Sequence, residues 1–152
     1  MSRVDPAHAA RLDFFRDGGF VKNTPHAAAI GMAFVDISPG RGVLKVGWRE
    51  DLVGDAATGV LAGGVVTALL DHVCGLAIIA SLHEPAMPAT LDLRIDYLRP
   101  AEPRRDLYAA AHCYKLTRSV AFVRASAYEV DPDHPVATAQ GTFILNRAED
   151  RP

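Results

Sequence analysis

Six runs along the chain mix apolar and polar positions as strands do, and a seventh run between them is apolar almost throughout. The strand-like runs are Ile30–Ile37, Gly42–Trp48, Ala89–Leu98, Leu107–Leu116, Ala121–Val130 and Val136–Leu145. Where apolar and polar residues alternate with a period of two, one face of the strand is turned to a core. The clearest is TLDLRIDYL, with Leu91, Leu93, Ile95 and Tyr97 on one face and Asp92, Arg94 and Asp96 on the other. Ser38-Pro39-Gly40-Arg41-Gly42, Thr117-Arg118-Ser119 and Asp131-Pro132-Asp133-His134-Pro135 supply turn chemistry between consecutive runs. The uninterrupted apolar run, GGVVTALLDHVCGLAIIASL, predicts a helix from about Gly64 to Leu82; Pro85 ends it and Pro88 keeps it from resuming. A short amphipathic helix is expected over Asp5–Asp17, with Asp5 as N-cap, Pro6 at the first helical position and Gly18-Gly19 as the stop. Its Leu12 and Phe15 lie on one side. Loops are expected around Asn23-Thr24-Pro25 and over Asp51–Gly59.

The order is helix, two strands, one long helix, four strands. Consecutive hairpins imply an antiparallel sheet, and a helix apolar almost all round must be covered on most sides. The pattern therefore predicts an α+β hot-dog fold, a six-stranded antiparallel sheet wrapped around one long hydrophobic helix, as a single domain over 1–152. The N-terminal helix and loop occupy 1–29 and the core 30–146. An open sheet also has edges, which favours pairing between subunits.

A chain of 152 residues suits one core. With a formal net charge of −2, the chain has no basic footprint, so no nucleic-acid partner is expected. Cys74 and Cys113 form no CxxC pair, which argues against a disulfide framework or zinc knuckle and fits a reducing, cytoplasmic setting. The N-terminus has no apolar stretch of signal-peptide length. The long apolar helix has the length of a membrane span, but Asp71 near its middle would cost about 2.5–3.5 kcal/mol on insertion. It is expected inside protein, with no membrane partner.

Asp71 is also the chief candidate for chemistry. A carboxylate within an apolar helix is expensive unless paired or put to use. Gly64, Thr67, Ala68, Asp71 and Gly75 share one helical stripe. Small residues beside one acid allow close approach by a ligand or by a partner's backbone. Gly63-Gly64 opens the helix, where free N–H groups suit an oxyanion or a phosphate. His72 points to a different face and is read as a structural or interface histidine. His112 and Cys113 face opposite ways on a strand, so no metal site is expected. No GxSxG nucleophile motif is present. Phe143 and Tyr97 are expected in the core. Arg99, Arg104, Arg105 and Arg118 are candidates for a rim that meets phosphates; each taken alone reads as a solvated arginine at a strand end.

The stretch from Gly59 through Ala62-Gly63-Gly64 to Asp71 resembles the signature of PaaI-like (phenylacetate-pathway-type) hot-dog thioesterases: Asn-x-x-Gly-x-x-His-Gly-Gly, six residues, then Asp. Thr90 to Pro100 is similar to the family's third strand, and Arg118-Ser119-Val120-Ala121 to its Gly-Arg-x-Val-Ala hairpin. The resemblance spans roughly residues 30–145. It implies hydrolysis of an acyl-CoA or aryl-CoA to a free acid and CoA, with no cofactor. Asp71 would be general base or nucleophile, the Gly63 N–H would polarise the thioester carbonyl, and Thr90 would orient the attacking water. Gly64 and Thr67 would line the substrate, and Arg118 and Ser119 would meet the CoA phosphates. The chain departs from the family at two positions: Ala56 stands where the family has Asn, and Ala62 where it has His. Loss of an oxyanion donor costs roughly 100- to 1000-fold in rate, so reduced activity is implied, and a non-catalytic acyl-CoA-binding protein is the alternative. A hydratase of the same fold is weaker, because Asp71-His72 is a poor substitute for a His or Asn–His acid–base pair. Gly63 and Asp71 lie about 12 Å apart along a helix. One thioester must meet both, so the site is expected to be shared between subunits of a homo-oligomer, a dimer or a dimer of dimers.

Overall fold

The computed structural model describes residues 6–147. In chain order its elements are α1 (Pro6–Arg16), α2 (Gly19–Lys22), α3 (Pro25–Ala29), β1 (Met32–Ser38), β2 (Arg41–Val46), a 3-10 turn (Glu50–Leu52), β3 (Val53–Asp55), β4 (Val60–Leu61), α4 (Gly63–Ser81), β5 (Met87–Tyr97), β6 (Leu107–Leu116), β7 (Val120–Tyr128) and β8 (Ala137–Asn146). The six expected strands and the long helix form within two residues of their expected ends. Two expected loops are structured instead. The segment around Asn23-Thr24-Pro25 holds the short helices α2 and α3, and Asp51–Gly59 holds the 3-10 turn and strand β3, which pairs with β4. Asp5, the expected N-cap of α1, lies outside the described residues.

The main sheet runs β1-β2-β6-β7-β8-β5, with every neighbouring pair antiparallel. α4 packs against all six strands, as its composition demands. Leu69, Leu70, Val73, Leu76 and Ile78 are fully buried, each contributing about 1.5–3 kcal/mol of transfer free energy. The fold is therefore the α+β hot-dog that the hydrophobic pattern predicts. α4 is not covered all round, however. Gly63, Gly64 and Thr67 are exposed, and Ala68 and Asp71 half-buried, along one uncovered line. That line faces the side of the sheet where β5 forms an edge. On β5 the large apolar residues Met87, Leu91 and Tyr97 are all more than half exposed.

The N-terminal helix docks on the far end of α4. Leu12 and Phe15 are buried as expected. The Arg11 guanidinium donates to the carbonyl of Leu82, the C-cap of α4, and lies 3.1 Å from the His8 ring. A cation at a helix C-terminus is favoured by the helix dipole.

Arg99 is not a free solvated arginine. Its Nη1 and Nη2 donate to the two carboxylate oxygens of Glu129 at 3.0 and 2.5 Å, and Nη2 also donates to the His134 carbonyl at 2.7 Å. The Glu102 N–H donates to Glu129 Oε1 at 2.7 Å. This pair ties the segment after β5 to the end of β7. Burial pushes the Glu129 carboxyl up, but the Arg99 guanidinium and the backbone N–H groups outweigh it and hold the acid below its ordinary value of 4.5. A depressed folded-state pKa contributes stability that is present above the unfolded value and is lost as pH falls through the folded one. Glu129→Ala should cost about 3 kcal/mol in urea unfolding at neutral pH by leaving Arg99 unpaired. The gap from the unchanged protein should close as the pH is taken below 4.5.

Candidate active site

The site begins where the chain enters α4. Trp48 Nε1 donates to the Gly59 carbonyl at 2.9 Å, and the Ala62 N–H donates to the Leu52 carbonyl at 2.9 Å, so the β3–β4 ribbon is pinned at both ends. Gly59 turns the chain with φ +73°, and a side chain at Gly54 would begin 2.8 Å from Ala62 Cα. These two glycines let the ribbon fold tightly against the start of the helix. Ala62 is the N-cap and offers no side-chain cap. Among the described residues no acceptor takes the N–H groups of Gly63 or Gly64. Gly64 lies on the open side of α4, where a side chain on it would meet nothing within 4 Å.

Two turns further on, Asp71 is half-buried on the same uncovered line. The Thr90 hydroxyl donates to Asp71 Oδ1 at 2.7 Å. The meeting depends on a β-bulge. The pairing of β5 with β8 slips between Thr90 and Asp92, leaving Leu91 unpaired. Strict alternation would turn Leu91 inward with Leu93 and Ile95 and send Thr90 outward. The bulge reverses this parity, so Leu91 is 59% exposed and Thr90 reaches the helix. The inward Leu91 expected from the pattern is thereby corrected. One carboxylate oxygen is held by a hydroxyl, a charge-assisted bond worth about 1.5–3 kcal/mol. If that bond aims Asp71 at the reacting atoms, Thr90→Val should lower kcat/KM on a cleaved thioester by about tenfold while the melting temperature moves little.

A second hydroxyl cluster fixes the start of α4. Tyr97 Oη donates to the Gly63 carbonyl at 2.9 Å, Thr67 Oγ1 donates to the same carbonyl at 3.1 Å, and the two hydroxyls are 2.9 Å apart. The alternation places both Phe143 and Tyr97 in the core. Phe143 is buried, but Tyr97 is 51% exposed at the rim of the site. Its alternation is legible in sequence; the demand of the helix start for a hydroxyl is not.

Thus α4 and β5 bring together Gly63, Gly64, Thr67, Asp71, Thr90 and Tyr97. Arg118 and Ser119 are not in this group. They lie in the β6–β7 turn, separated from β5 by β8, and the Ser119 carbonyl accepts from the Leu145 N–H at 2.8 Å. His72 points away from Asp71 as expected. Its ring stacks on Phe20 with centroids 4.4 Å apart, and burial lowers its pKa. Cys113 is buried while its neighbour His112 is exposed on the opposite face, and burial raises the thiol pKa of both Cys74 and Cys113.

At the departures, Ala56 and Ala62 offer only methyl groups. Asp55, beside Ala56, does not fill the gap. Its carboxylate accepts from the Ala57 N–H at 3.0 Å and the Thr58 hydroxyl at 3.0 Å and so closes its own turn.

The chain is similar to proteins of known family. The family model of the thioesterase superfamily matches residues 58–135, from the turn before α4 to the segment leading into β8. The medium/long-chain acyl-CoA thioesterase YigI of Escherichia coli (strain K12) is 27% identical over 139 residues, which cover 83% of this chain and 88% of that protein. A crystal structure of a protein from Pseudomonas aeruginosa is 34% identical with a TM-score of 0.78, covering 88% of this chain and 98% of that one. A mutant of the phenylacetic acid degradation protein PaaI from Thermus thermophilus is 29% identical with a TM-score of 0.67, covering 79% of this chain and 97% of that one. The hot-dog sheet, the helix entered through Gly63-Gly64 and the extent of these matches lead to one conclusion: this chain belongs to the thioesterase superfamily.

Proposed function

We propose that the protein hydrolyses a CoA thioester, acyl or aryl, to the free acid and CoA. The observation that carries this reading is the Asp71 carboxylate, hydrogen-bonded by Thr90 on the uncovered line of α4, with the free N–H groups of Gly63 and Gly64 at the head of that line. A thioester needs only an activated water and a polarised carbonyl. As general base, Asp71 takes a proton from water while the water oxygen bonds the thioester carbon. The C–S bond then breaks and the proton passes to the CoA sulfur. As nucleophile, Asp71 bonds the carbon itself, CoA leaves, and water opens the resulting anhydride. In both routes the Gly63 N–H receives the developing oxyanion.

Gly63 and Asp71 are eight residues apart on one rigid helix, about 12 Å. We assign the two roles at one reacting carbon to two different subunits of a homo-oligomer. The exposed β5 edge and the uncovered line of α4 support this pairing. It would also carry Arg118 and Ser119 to a partner's substrate, where they would meet the CoA phosphates. Ala56 and Ala62 leave the oxyanion with fewer donors, so turnover should be lower than in a relative with both family side chains. The same two positions favour a second reading, a protein that binds CoA esters without cleaving them.

A thiol-release assay over a panel of acyl- and aryl-CoAs separates the readings. Release of CoA by the unaltered protein supports the hydrolase. Tight binding with no release supports the second.

A further inference from the structure

Strand β5 turns a hydroxyl to α4 at each end of the site. Leu93 and Ile95, in the middle of the strand, pack against the core. Before them, on the other side of the bulge, Thr90 donates to Asp71 at 2.7 Å. After them, Tyr97 donates to the Gly63 carbonyl at 2.9 Å. The strand runs opposite to the helix, so one element touches both the carboxylate and the turn that carries the free N–H groups. Thr90 answers to the acid; Tyr97 answers to the turn.

The turn needs such a contact. Two glycines in succession leave the main chain loosely specified, and the first turn of a helix is where it frays. Ala62, the N-cap, supplies no side-chain cap. A side chain on Gly64 would meet nothing within 4 Å, so no neighbour packs against that residue. What holds the Gly63–Gly64 peptide is the pair of hydroxyls on its carbonyl, Tyr97 Oη at 2.9 Å and Thr67 Oγ1 at 3.1 Å, themselves 2.9 Å apart. Thr67 belongs to α4 and moves with it. Tyr97 ties the same peptide to the sheet. Donors to an oxyanion act strongly only when they are aimed before the reaction begins. A carbonyl that accepts hydrogen bonds also makes the N–H across its own peptide a stronger donor. That N–H is Gly64's, which no acceptor takes among the described residues. Ala56 and Ala62 have no side-chain donor to offer, so the main chain of this turn carries the polarisation. The Tyr97 ring is half exposed, so its hydroxyl is not needed to fill the core.

We propose that Tyr97 is a positioning residue for the thioester reaction: its hydroxyl holds the Gly63–Gly64 peptide, and with it the N–H groups that meet the developing oxyanion. This rests on the CoA-thioester reading. Tyr97→Phe removes the hydroxyl and keeps the ring. It should lower kcat about threefold to tenfold, with KM and the melting temperature little changed, because the oxyanion exists only beyond the ground state. A second measurement needs no turnover. The probe is an acyl-CoA analogue in which a methylene group replaces the thioester sulfur, leaving a ketone with no C–S bond to cleave. Its isotope-labelled C=O stretch, read by difference infrared spectroscopy, should fall in frequency on binding to the unaltered protein. In Tyr97→Phe the stretch should lie nearer its value in water. If circular dichroism shows that Tyr97→Phe does not fold, Thr67→Val, which removes the other hydroxyl from the same carbonyl, should move the stretch in the same direction. A shift that the folded variant keeps in full overturns the role of Tyr97 alone, and a fall in kcat with an unmoved stretch marks the bond as a structural tie and overturns it too. A ketone that binds the unaltered protein with no shift overturns the oxyanion donors themselves, and the thioester reading with them.

Discussion

Asp71→Asn is expected to abolish measurable CoA release from a good thioester substrate, lowering kcat by about 100- to 10,000-fold, with an unchanged melting temperature. The side chain keeps its size, and its Oδ1 can still accept from Thr90, so the local geometry should survive. What is lost is the capacity to take a proton from water or to attack carbon. The KM should change little, because the missing interaction belongs to the transition state. The measurement is thiol release under saturating substrate, paired with thermal unfolding. A variant with unaltered kcat would remove Asp71 from the chemistry.

Gly63→Pro is the second large effect expected. Proline has no N–H, so it deletes the proposed oxyanion donor and little else. The first helical position tolerates proline well, because its N–H has no partner within the helix and the fixed φ suits the helix. Gly63 is the first residue of α4, and Ala62 before it has φ −60° and ψ 141°, the extended conformation that a residue preceding proline prefers. A Cβ at Gly63 would meet Tyr97 Oη no closer than 3.6 Å. The fold should therefore persist while kcat falls by about 100- to 1000-fold. Gly63→Ala, which keeps the N–H and adds the same Cβ, is expected to retain most of the activity. Equal losses in the two variants would show that bulk at this position, and not the donor, matters.

The architecture was legible because its largest signals are periodic. The run from Gly63 to Leu82 is too apolar to be anything but enclosed, and α4 indeed packs against all six strands. Glycines at 63 and 64 and the acid at 71 placed the candidate site on one helix face. What escaped the pattern is what local alternation cannot encode. TLDLRIDYL alternates without a break, yet the strand bulges at Leu91 and turns Thr90 to Asp71. The bulge is set by pairing with β8, whose residues 142 and 143 stand opposite it. Arg99 alone reads as a solvated charge until β7 brings Glu129, 30 residues on, against it. α2 and α3 are only 4 and 5 residues long, too short for a helical period to show.

The central claim is that Gly63 and Asp71 meet at one thioester from different subunits. It is tested most directly by mixing the two inactive variants, Asp71→Asn and Gly63→Pro, under conditions in which subunits exchange. In a two-fold dimer every mixed pair holds one site with both defects and one intact site. Random exchange makes half of the pairs mixed, so about a quarter of the unaltered protein's activity should return. If both residues act from the same chain, every site in the mixture carries one defect, and the activity would stay at the level of the separate variants despite demonstrated exchange.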